Sequence, residues 1–134
     1  MVVGQTVTVG QYVRFDDFES LLKERVSQDL EEWPDVLQHT FDVVQNMKRL
    51  VVREGGPMDI LVCVAYLHEA AHAERGEVVL DGKSLTMARA EVCSRQAAII
   101  LRELGFPLDK AERVQNLLAR NECVELKRAH HRIV

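Results

Sequence analysis

No two cysteines of this chain stand in a C-x-x-C arrangement. The three present, Cys63, Cys93 and Cys123, are an odd number and widely spaced. That argues against a disulfide frame and fits buried or incidental thiols in a reducing compartment. Neither sign of charge dominates: 17 Lys and Arg are interspersed with 21 Asp and Glu, for a net charge of −4. Such a balance leaves no electrostatic footprint for a DNA or RNA duplex or for an anionic membrane. The longest apolar run, Ile60 to Leu67, is too short to span a bilayer. The start of the chain has no charged region leading into an apolar one, so no secretory signal is expected. Repeats and low-complexity tracts are also missing. These absences together predict a soluble cytoplasmic domain.

What is there is enough for one hydrophobic core: 134 residues, 47% hydrophobic and 28% charged. Residues 1–15 differ from the rest. Val2, Val3, Val7, Val9 and Val13, with Thr6 and Thr8, favour extended structure that Gly4 and Gly10 interrupt. This segment is predicted to be a short extended N-terminal arm, a candidate for self-association into a homo-oligomer. Residues 16–134 read as a helical domain. Asp16 or Asp17 can cap a first helix carrying Phe18, Leu21, Leu22, Val26 and Leu30 at helical spacing. Pro34 suits the first turn of a second, which stops at Gly55-Gly56-Pro57. A third is predicted from Pro57 to about Ala73. Apolar on every side, it belongs at the centre of a bundle. Residues 75–84 read as an exposed loop or small hairpin. A fourth helix follows from Leu85 to Leu104 with Gly105 as its C-cap. A fifth starts at Pro107 to Asp109, and a sixth from Cys123 onward. Trp33 and Phe41 read as core residues. The fold class is all-α, a compact bundle of five to six helices.

The central helix closes on His68-Glu69-Ala70-Ala71-His72. Three ionisable side chains at the end of so apolar a segment are costly to desolvate without partners, and a bound metal satisfies all three. Read alone, these letters spell the H-E-x-x-H signature of zinc peptidases. On an α-helix His68 and His72 point the same way, with Glu69 placed to take a proton from bound water. A third ligand is then needed, and Glu91, 19 residues after His72, is a candidate. Its plainer role is as a solvated or salt-bridged helix residue. Peptidases of this kind also use a sheet edge to hold substrate, and no convincing strand precedes the motif.

A second parsing uses more of the chain. In Leu37-Gln38-His39-Thr40-Phe41-Asp42-Val43-Val44 a histidine stands early in an apolar helical pattern, and His68 follows it by 29 residues. Downstream come Ala97-Ala98-Ile99-Ile100-Leu101-Arg102-Glu103-Leu104-Gly105-Phe106-Pro107 and the helix from Val114 to Glu122. This order and spacing, from Leu37 to Val134, resembles the HD-domain superfamily of metal-dependent phosphohydrolases. The individual motifs are short, so the order carries the weight. The resemblance implies His39, His68 and Glu69 as metal ligands, with Glu69 in place of the family's Asp. It implies His72 as the catalytic residue that faces or orients phosphate. The cofactor implied is a divalent metal, any of Mn, Fe, Co, Ni, Zn or Mg. A metal held by imidazole and carboxylate lowers the pKa of bound water and polarises a phosphoryl oxygen.

Two departures stand against the family pattern. Glu69 is one methylene longer than Asp. The family's fourth ligand, a late Asp, commonly follows a segment like Arg132-Ile133-Val134, where this sequence stops. Either the sequence stops short of that Asp, or another group completes the site, or the site is degenerate. His130 and His131 are nearby but have no motif-level claim. The expectation is therefore an HD-like phosphohydrolase acting on a small phosphorylated molecule such as a nucleotide. A non-catalytic HD module for ligand or partner binding, and a small zinc peptidase, are the alternatives.

Overall fold

The computed structural model describes residues 14–73, 80–121 and 123–131. Among these, six α-helices follow in order: α1 (Phe15–Asp29), α2 (Pro34–Glu54), α3 (Met58–Leu67), α4 (Leu85–Leu104), α5 (Leu108–Ala119) and α6 (Val124–Ala129). A 3-10 turn, Ala70–Ala73, follows α3. The described residues contain no strand, and none of their helices is long and apolar enough to cross a membrane. The all-α bundle is as expected. The extended arm lies outside the described residues apart from Arg14, which is extended, and Phe15, which already opens α1.

α3 is the axis of the bundle. Every residue from Ile60 to Leu67 is buried, and α1, α2, α4, α5 and α6 all pack on it. A helix with no polar face has no other stable place, because exposing any side of it would return apolar area to water. α1 contributes Phe18, Leu22 and Val26 to the shared core, and α2 contributes Val43, Val44, Met47 and Leu50. Trp33 and Phe41 are half-buried and pack against that core, as expected. One polar cluster bridges α1, α2 and α3. The Tyr66 hydroxyl donates to Glu19 Oε2 at 2.8 Å, and Lys48 Nζ lies 2.6 Å from the same oxygen. Glu19 is thus not part of a purely solvated face.

Helix ends follow local chemistry to different degrees. α4 has the expected bounds because both its stops are local. The Ser84 side chain accepts from the Met87 N–H at 3.2 Å, satisfying a first-turn donor. At the other end Gly105 takes the left-handed conformation, φ 84°. The Gly105 N–H reaches Arg102 O at 3.1 Å and the Phe106 N–H reaches Leu101 O at 2.9 Å, a Schellman closure. Phe106 then turns inward, fully buried, 4.7 Å from the Phe18 ring. α1 differs slightly from expectation: Arg14 is the cap residue, without a side-chain capping bond, and Asp16 and Asp17 fall in the first turn. There they still favour the positive end of the helix dipole.

Half of the loop or small hairpin expected over residues 75–84 lies outside the described residues. Its described end is a turn closed by the Lys83 N–H on Leu80 O, 2.9 Å, with Asp81 and Gly82 both at positive φ. That is the backbone pattern of the primed turns, with no strand beside it among the described residues.

Candidate metal centre

The third helix was expected to run to about Ala73; its α-helical part stops at Leu67. The His68 carbonyl, which would accept the His72 N–H in a continuing α-helix, accepts the Cys93 thiol of α4 at 3.2 Å. Burial pushes the Cys93 thiol above its ordinary range, so it stays protonated and able to donate. The His72 N–H closes three residues back, on Glu69 O at 3.1 Å. A 3-10 turn eclipses positions i and i+3. Glu69 and His72 therefore pair, with Oε1 to Nε2 at 3.7 Å, and the His72 ring lies 6.1 Å from Trp33.

His68 faces the other way. Its ring lies 5.7 Å from His39 on α2 and 4.9 Å from His130 at the end of α6, and His39 and His130 are 5.1 Å apart. One ring nitrogen from each of the three falls within 4.8 Å of the others. The structure brings together two of the sequence-derived candidates, His39 and His68. It does not bring Glu69 or His72 into that cluster. Convergence of His68 with His72, needed for the peptidase arrangement, is also not formed. Glu91 is engaged elsewhere, with Lys83 Nζ 2.7 Å from its Oε1.

His130 is the member that the sequence motifs did not supply. α6 is short, but two ties hold it against α2. Asn46 Nδ2 donates to Ala129 O at 2.9 Å, and Arg128 forks onto both oxygens of Glu54. Leu126 and Ala129 form its buried stripe. His130 follows Leu126 by four residues and adjoins Ala129, so helical spacing sets its ring beside the buried face. That periodicity was the available signal.

Two of the three imidazoles are oriented by the backbone. His68 Nδ1 lies 2.6 Å from Ala65 O and His130 Nδ1 lies 2.8 Å from Leu126 O. A carbonyl can only accept, so each Nδ1 carries the proton and each Nε2 presents a lone pair. Metal-binding histidines are commonly fixed in this way. His68 Nε2 is buried and has no hydrogen-bond partner. Burial lowers the His68 pKa to about 4, against the opposing pull of the Ala65 carbonyl and the Glu69 charge. The neighbouring His130 and His39 add smaller lowering contributions. The ring is therefore neutral at physiological pH. A buried orphan acceptor is rare and costs on the order of 1–3 kcal/mol. A divalent cation would satisfy it, and three imidazoles are a suitable donor set.

His68, His130, Glu69 and His72 also border a cavity of about 500 Å³. It opens between the 3-10 turn, α4, α5 and α6, so a ligand there would lie next to the histidine cluster. Comparison of the chain with family models, with curated proteins and with solved structures returns no match.

Proposed function

We propose that this chain is a metal-dependent phosphohydrolase of the HD-like kind, with His39, His68 and His130 holding the metal. The observation that carries the reading is the buried, unpartnered Nε2 of His68, turned toward two further imidazoles at the edge of a cavity. When bound, a divalent cation would supply a Lewis acid for the phosphoryl oxygen and water of lowered pKa. The protein's own groups set up the rest. The Ala65 and Leu126 carbonyls fix the tautomers of His68 and His130, so both ligand lone pairs are in place before any ion arrives. His72, on the cavity wall, is the group placed to orient a phosphoryl oxygen or to carry a proton. Glu69 sits beside its Nε2 and restricts the ring. Glu69 thus serves as a positioning residue for His72 and not as a ligand, which departs from what the family resemblance implies. The three buried, unbridged cysteines support a reducing, cytoplasmic setting.

The test is hydrolysis of p-nitrophenyl phosphate by chelator-stripped protein, with Mn, Fe, Co, Ni, Zn or Mg added back singly. At least one of these ions is expected to restore a hydrolysis that the chelator abolishes. Tight metal binding without turnover of this or any nucleoside monophosphate would sink the catalytic reading and leave a non-catalytic binding module.

A further inference from the structure

The cavity beside the histidine cluster carries two cations that nothing so far has used. Arg89 on α4 and Lys127 on α6 both border it, from different helices. Both are exposed, and among the described residues neither is hydrogen-bonded or ion-paired, so their charges are open to a ligand in the cavity. Helical spacing puts each on the cavity-facing side of its own helix: Arg89 precedes the cavity-lining Cys93 by four residues, and Lys127 precedes His130 by three. Among the described lining residues the carboxylate is Glu69, and it is paired with His72. The inner wall supplied by Leu117, Leu118 and Leu126 is aliphatic.

We infer that Arg89 and Lys127 form an anion subsite for the doubly charged phosphate of a small phosphomonoester. The phosphate would lie between these two cations and the histidine cluster, with the organic part against the leucine wall. A monoester dianion matches two cations, whereas a diester carries a single charge and would leave one of them uncompensated. Arg89 suits the phosphate through its planar fork of donors, and Lys127 as a point charge. This inference rests on the phosphoester reading of the cavity but not on the metal, which makes the two separable.

The test is calorimetric titration of methyl phosphate, and separately of dimethyl phosphate, into the full chain kept in EDTA. Methyl phosphate is expected to bind, and Arg89→Ala and Lys127→Ala are each expected to weaken it by about tenfold, the effect of one lost charge-assisted bond. Arg102→Ala, an exposed change outside the cavity, is the control and is expected to leave affinity unchanged. Both substituted side chains are exposed, so the fold is not at stake. Equal affinities across wild type, Arg89→Ala and Lys127→Ala would overturn the subsite. So would dimethyl phosphate binding as tightly as methyl phosphate. Failure of metal loading in a separate sample would overturn the metal reading and leave this result standing.

Discussion

His68→Ala is expected to abolish stable metal binding and, with it, phosphoester hydrolysis. His68 is the member of the cluster whose buried Nε2 has no other partner. Its loss leaves two imidazoles, His39 on α2 and His130 just after α6, which is fewer than a stable site needs. Affinity should fall by more than the ~10–100-fold that follows loss of an outer partner of a metal ligand. The same substitution has a second signature, in the metal-free protein. Native His68 has its pKa lowered to about 4 by burial, whereas an unfolded histidine titrates near 6.5. Between these values the unfolded chain binds the extra proton and the native one does not. Stability present above pH 6.5 is therefore lost as the pH falls toward 4, by roughly 2–4 kcal/mol in total. Denaturant titrations across pH 7 to 4 in EDTA should show that slope in wild type and a shallower one in His68→Ala. An unchanged slope would mean that His68 is not held neutral by burial.

Phe106→Ala is expected to have the largest effect on stability. The ring is fully buried, packs at 4.7 Å on Phe18, and follows the Gly105 closure of α4. Its removal opens a cavity where α1 and α4 meet, and it takes away the apolar contact that accompanies a Schellman closure. Truncation of a buried Phe costs about 3–5 kcal/mol. For a domain of this size that corresponds to a fall in Tm on the order of 10–20 °C, measurable by thermal unfolding. A drop of only a few degrees would show that the ring is not wedged between these helices. Neither Phe18 nor Phe106 belongs to the histidine cluster, so metal binding at low temperature should survive.

The contrast between these two sites shows what could be read from the residues. The centrality of α3 was legible because no polar face exists between Ile60 and Leu67. The bounds of α4 were legible because Ser84 and Gly105 act on their own neighbours. His39 and His68 were paired only through the family resemblance. The end of α3 was not legible, because the contact that accompanies it comes from a thiol on α4, 25 residues away in sequence. Beyond it the H-E-x-x-H segment is a 3-10 turn that pairs Glu69 with His72. His130 was hidden for a related reason. Its position depends on the Asn46 and Glu54 ties, which are 83 and 74 residues from their partners on α6. Local patterns fix elements; the ligand set depends on how the elements dock.

The most direct measurement is the metal content of three proteins, wild type, His130→Ala and Glu69→Ala, each loaded with zinc, desalted and analysed for metal per chain. A three-histidine site predicts about one ion in wild type, essentially none in His130→Ala, and wild-type content in Glu69→Ala. Loss of metal from Glu69→Ala with retention in His130→Ala would contradict it, and would return the site to the histidine–carboxylate pair spelled out in the sequence.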